Sequence, residues 1–233
     1  MNKGITLTAN HIKLIAILAM TADHLAWWLL PTYSFSGQFV HFIGRLTAPL
    51  MCMFIAVGCH YTSNLKRYAA RLFVFAVLSH FPYVIYFGFK WYETTSVILT
   101  LLIGLFAASF YKRYADKPFL SFLFIVLCCI LAYRLDWSYI AVLWIVSAYA
   151  LRDNKRQMIM SFVIIGLLLY AVLQFVLSGF KVFYHFGFLL AVPVMLLYDG
   201  ERGKKNFFTK WGFYIYYPLH LLVLALLRYI IFK

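Results

Sequence analysis

The chain is a succession of apolar stretches, each close to the length needed to cross a lipid bilayer. A membrane helix needs about 20 mostly apolar residues. Segments of that kind fall at 12–30, 39–59, 68–88, 95–111, 118–133, 138–151, 157–178, 183–198 and 208–231. Across its 233 residues the chain is 65% hydrophobic and only 12% charged. A soluble globule of this size carries about twice that share of charge. A water-soluble enzyme is therefore excluded. The expected fold is all-α: a polytopic membrane helix bundle of about nine transmembrane helices, making one domain over residues 1–233.

Charge supplies the orientation. Lys and Arg number 21 against 7 Asp and Glu, a formal net charge of +14. On a soluble chain this would suggest nucleic acid, but here no nucleic-acid partner is expected. The basic residues alternate between loops instead. Lys66, Arg67, Arg71, Lys112, Arg113, Lys117, Arg152, Lys155, Arg156, Arg202, Lys204, Lys205 and Lys210 fall on one side; Lys90, Arg134 and Lys181 fall on the other. Cytoplasmic loops of membrane proteins concentrate Lys and Arg. The pattern predicts a multi-pass protein of the bacterial cytoplasmic membrane, N-terminus inside and C-terminus outside. The first segment carries Asp23 and His24 and lacks a small-residue cleavage site, so it reads as a retained helix rather than a signal peptide. Cys52, Cys59, Cys128 and Cys129 sit in apolar runs without metal or disulfide spacing, and no metal is expected.

Ionisable groups at bilayer depth cost about 2.5–3.5 kcal/mol each and persist where they face a bundle interior and act. Asp23 and His24, in MTADHLAWW, lie about 10 Å from the outer end of their helix at 1.5 Å per residue. A histidine supported by a carboxylate can serve as a general base. Arg45, in FIGRLTAPL, falls at similar depth. It is a partner for Asp23, as a structural ion pair or as a group that stabilises negative charge. His80, in SHFPY, falls at similar depth again, and His220 lies near mid-helix in FYIYYPLHLL, with Tyr216 and Tyr217 four and three residues before it. Pro49, Pro82, Pro193 and Pro218 lie inside apolar segments and suggest kinked helices, from packing or around an internal cavity. No serine-nucleophile motif, phosphate loop or dinucleotide fingerprint is present. Acid–base groups without a nucleophile suit direct group transfer; a covalent acyl-histidine step is the open alternative.

These residues carry a family resemblance. The stretches IKLIAILAMTADHLAWW (12–28), IGRLTAPLMCMFIAVGCHYTSNLKRYAARL (43–72), SHFPY (79–83), TLLIGL (100–105), LDWSYIAVL (135–143) and FFTKWGFYIYYPLHLL (207–222) resemble the TraX family over about residues 12–225. Leu50 stands where the family pattern often has an aromatic residue. The resemblance implies a membrane acetyltransferase that moves acetyl from cytoplasmic acetyl-CoA to an acceptor. The founding role is acetylation of the N-terminal amine of conjugative pilin. Its motif positions here are Asp23, His24, Arg45, His80, Tyr217 and His220. The reading assigns catalysis to His24, Asp23, Arg45 and His220, and substrate binding to His80, Tyr216 and Tyr217. Lys66, Arg67, Arg71, Lys204, Lys205 and Lys210 are expected to meet the phosphates of coenzyme A, for which Lys and Arg are natural partners. The expected partners are membrane lipid and a pilin, peptide or glycan acceptor. A proton-coupled transporter and a non-catalytic pilus or envelope assembly protein are the competing readings, because intramembrane Asp, His and Arg also build proton relays.

Overall fold

A computed structural model describes residues 6–204 and 206–231. Helices dominate them. In chain order they are α1 (Ala9–Leu29), α2 (Phe35–Gly44), α3 (Thr47–Tyr61), α4 (Leu65–Phe87), α5 (Val97–Arg113), α6 (Pro118–Ala132), α7 (Ser138–Ala150), α8 (Lys155–Gly166), α9 (Val172–Ser178), α10 (Ala191–Leu197) and α11 (Phe213–Ile231). A helical segment stands at each of the nine expected positions. Among the described residues five are long and apolar enough to cross a membrane: Ala9–Leu29, Phe35–Tyr61, Leu65–Phe87, Lys155–Ser178 and Thr209–Ile231. The other segments are shorter. The chain is an all-helical membrane protein.

Local chemistry sets the helix ends. Ser34 caps α2 by accepting from the Gly37 N–H at 3.1 Å, and Asn64 caps α4 by accepting from Arg67 N–H at 2.8 Å. Both caps start their helices several residues before the apolar run begins. Gly88, at φ +74°, ends α4 in the left-handed conformation that glycine adopts without penalty.

Two of the four prolines stand where helices restart. Pro49 has no N–H to give to the carbonyl of Arg45, and the helix breaks at Arg45–Leu46 before resuming as α3. Pro193 follows a 3₁₀ stretch, Gly179–Leu190, in the first turn of α10. Pro82 and Pro218 are accommodated inside α4 and α11. Two single π turns, Leu167–Ala171 and Phe208–Gly212, interrupt the longer segments.

The chain divides into two compact units. Residues 1–51 and 155–213 form the first. Here α2 packs on α1 and on the 3₁₀ stretch. Gly187 allows the second approach: a Cβ there would collide with the Phe42 backbone. Gln38 ties the same two elements, donating to the carbonyls of Thr32 and Lys181 and accepting from the Tyr184 N–H at 3.0 Å. An isolated parallel bridge joins Leu7 to Tyr198, and Lys155 Nζ donates to the carbonyls of Leu196 and Tyr198.

Residues 52–154 and 214–233 form the second unit. In it α5 packs against α4, α6 and α7. Ala107, Cys128, Ala132 and Val142 make its dry centre, and Gly104 leaves room for the Ile145 side chain. The turn into α7 is strained: Trp137 and Ser138 have φ of 60° and 47°. Thr100 Oγ1 pins this turn by donating to the Asp136 carbonyl at 2.7 Å.

Candidate functional site

The polar centre of the first unit is built on Asp23. The face of α1 that carries Ala16, Ala19, Met20, Asp23 and Ala26 is buried. A carboxylate on that face needs partners, because an unpaired buried charge is strongly unfavourable. Helix α2 supplies two. His41 and Arg45 are four residues apart, so they share a face. Asp23 Oδ1 lies 2.7 Å from His41 Nδ1, and Asp23 Oδ2 accepts from Arg45 Nη2 at 3.3 Å. Gly44 makes the geometry possible, since a Cβ at that position would collide with the Asp23 side chain.

The His41 side chain is wholly buried, and its second nitrogen, Nε2, has no hydrogen-bond partner. A carboxylate at Nδ1 favours the proton there and leaves the lone pair on Nε2. This is the arrangement of a general base: an oriented imidazole, a carboxylate to stabilise its protonated form, and a free nitrogen. Aromatic rings flank it. Trp27 lies 4.4 Å from the His41 ring and Tyr184 lies 5.4 Å from it, centroid to centroid.

Arg45 is held on further sides. Its guanidinium sits 5.1 Å over the Tyr184 ring and hydrogen-bonds the Tyr170 side chain. Tyr170 occupies the π turn Leu167–Ala171, which re-aims the side chains of that segment. His185 packs between Tyr170 and Tyr184, at 4.6 and 4.4 Å, with Nδ1 on the Val182 carbonyl.

The residues singled out in the sequence distribute unevenly. Asp23 and Arg45 meet, as expected. His24 is buried next to Asp23 on α1 and within its electrostatic reach, but the histidine hydrogen-bonded to Asp23 is His41. His41 was missed, although a histidine four residues before Arg45 in FVHFIGR was a usable signal. Tyr170, Tyr184 and Trp27 were missed too, being unremarkable in so aromatic a chain.

His80, Tyr216, Tyr217 and His220 belong to the second unit. His80 Nδ1 lies 3.0 Å from Thr95 Oγ1. His220 Nδ1 is 3.0 Å from the Tyr216 carbonyl, its ring stacks on Tyr216 at 5.0 Å, and Tyr217 stands edge-on at 5.6 Å. The basic residues are also divided. Lys66 and Arg67 are exposed on α4, and Arg71 lies over the Tyr68 ring. Lys204 and Lys210 are exposed in the first unit, with Lys210 over Trp211. Lys205 lies outside the described residues. Among the described residues no group of three His, Cys, Asp or Glu side chains is placed to hold a metal ion.

Comparison with known proteins fits this architecture. No solved structure matches the chain. A curated protein of Dichelobacter nodosus, the probable fimbrial assembly protein FimC of serogroup H1, is 30% identical over 239 aligned residues, covering 97% of each chain. The model of the TraX protein family matches residues 8–228, a span that takes in Asp23, His41 and Arg45, and the chain belongs to the TraX family.

Proposed function

We propose that the protein is a pilus-related membrane acetyltransferase that moves an acetyl group from acetyl-CoA to an amine or hydroxyl acceptor. The observation that carries the reading is the Asp23–His41 pair, with a buried nitrogen free for proton transfer. Membership of the TraX family and the fimbrial-assembly name of the Dichelobacter nodosus relative support the link to pili.

For an amine acceptor, the nitrogen attacks the thioester carbonyl and a C–N bond forms. His41 Nε2 takes the proton that the nitrogen sheds. Arg45 stabilises the developing oxyanion, as fixed donors do in acyl transfer. The C–S bond then breaks, and the sulfur leaves with the proton that His41 returns. The products are an amide and free coenzyme A. His24 stays a second candidate base beside the pair.

His80, Tyr216, Tyr217 and His220 are proposed to hold the acceptor. Lys66, Arg67, Arg71, Lys204, Lys205 and Lys210 are proposed to hold the donor phosphates. The proposal places the protein in the bacterial cytoplasmic membrane with nine crossings, N-terminus inside and C-terminus outside.

The test is acetyl transfer by the purified protein in detergent, from labelled acetyl-CoA to a short peptide with a free N-terminal amine, beside Asp23→Asn. Saturable transfer that falls at least about a hundredfold in the variant supports the reading. A folded wild-type protein that neither binds nor consumes millimolar acetyl-CoA overturns it, in favour of a non-catalytic assembly protein, which the relative's name equally fits.

A further inference from the structure

The turn between α5 and α6 gathers positive charge. Lys112 and Arg113 end α5, and Lys117 stands at the cap of α6; all three are exposed. Among the described residues none of them makes an ion pair, and neither does Asp116 in the same turn. Arg113 and Lys117 share one ring. The guanidinium carbon lies 5.7 Å and the ammonium 5.9 Å from the centre of Tyr114. Tyr114 is itself fixed. Its ring packs on Phe110 at 4.5 Å, and its carbonyl accepts from the Lys117 N–H and the Ser121 hydroxyl, each at 2.9 Å. Pro118 stiffens the first position of α6. Two like charges are thus kept near each other at a fixed place, an arrangement that a neighbouring anion relieves.

From this turn α6 runs on with an apolar outer stripe. Its buried residues, Ser121, Cys128 and Ala132, lie along one side. Phe119, Phe122, Leu123, Val126, Leu127 and Ile130, three and four residues apart, are exposed along the opposite side. The cations stand at the head of the stripe, with Phe119 two residues after Lys117. A soluble anion would use the cations and leave the stripe untouched, whereas a lipid with a negative headgroup uses both. We propose that the α5–α6 turn and the outer face of α6 bind an anionic phospholipid, its headgroup phosphate at Arg113 and Lys117 and an acyl chain along the stripe. Basic groups at the end of a membrane helix attract acidic headgroups in this way. The site lies wholly in the second unit and stands whether or not the protein transfers acetyl groups.

The experiment uses the full-length protein in detergent, stripped of co-purified lipid. It is titrated with phosphatidylglycerol, with phosphatidylcholine of the same acyl chains, and with glycerophosphoglycerol, the soluble headgroup. Bound molecules are counted by native mass spectrometry, and thermal melting is followed alongside. Wild type is compared with the double variant Arg113→Gln, Lys117→Gln. A second double variant, Lys66→Gln, Arg67→Gln, removes two other exposed cations of the same unit. Wild type is expected to prefer phosphatidylglycerol to phosphatidylcholine at least about tenfold, and to take up no glycerophosphoglycerol at the same concentration. Loss of Arg113 and Lys117 should erase the preference, at about fivefold per cation, while loss of Lys66 and Arg67 should leave it. Equal binding of the two lipids by wild type overturns the proposal. Equal losses in the two double variants overturn it too, leaving attraction by net charge alone. Equal uptake of the soluble headgroup assigns the cations to a free phosphate and overturns the lipid. Where the double variant fails to fold, Arg113→Gln and Lys117→Gln taken singly decide by the same preference.

Discussion

At the scale of single residues, the account turns on one carboxylate with two partners. Asp23 divides its oxygens between His41 and Arg45. Removing it leaves a guanidinium buried without its counter-charge, a loss of about 3–5 kcal/mol when a buried pair is broken. Asp23→Ala is therefore expected to lower both stability and yield, measured by thermal melting in detergent. Asp23→Asn keeps the volume and tests the charge alone. Melting of Asp23→Ala within a degree of wild type would contradict a buried pair.

Gly44 makes a second prediction. A methyl group there would run into Asp23, so Gly44→Ala should impair acetyl transfer by displacing the carboxylate. Gly88→Ala is the control. Open space surrounds it, and only its positive φ resists substitution, at a cost of about 1–2 kcal/mol. Equal effects of the two on transfer would contradict the close approach at Gly44.

At the scale of elements, the helix starts explain what the sequence showed and what it concealed. The apolar run of the second segment begins near residue 39, which makes His41 look like an end residue. Ser34 caps the helix five residues earlier than that. His41 then lies nearly two turns into α2 and one turn before Arg45, facing Asp23. Hydropathy located the segment, but a side-chain cap set its start, and the missed histidine followed from that difference. The Asp23–Arg45 pairing was legible because two opposite charges at equal depth have few other partners. The contributions of Tyr170 and Tyr184 were not, because a π turn and a 3₁₀ stretch place them, and neither has a period that apolar patterning reveals. Gln38 makes three hydrogen bonds to backbone groups, two of them to the 3₁₀ stretch, at Lys181 and Tyr184, and one to Thr32. At about 1 kcal/mol each, Gln38→Leu should cost about 1–3 kcal/mol of stability and loosen Tyr184. Unchanged thermal melting would show that the tie is not needed.

At the scale of the whole molecule, composition and charge alternation identified an all-helical membrane protein, and each expected segment is helical. Length limits the remainder, since five of the segments suffice on their own to cross a bilayer and the shorter ones need neighbours or tilt. The basic loops predict an odd number of crossings. A reporter fused after Lys233 should be active only outside the cytoplasm, and one inserted in the turn at residues 62–64, between α3 and α4, only inside. Two cytoplasmic signals would contradict the odd count.

The central claim is that the pair formed by Asp23 and His41 performs the transfer. Acetyl transfer by His41→Gln and His24→Gln, in protein shown to be folded by its melting curve, tests it most directly. The account predicts a loss of at least about a hundredfold in His41→Gln, with His24→Gln retaining most of the rate. A fully active His41→Gln enzyme would contradict it.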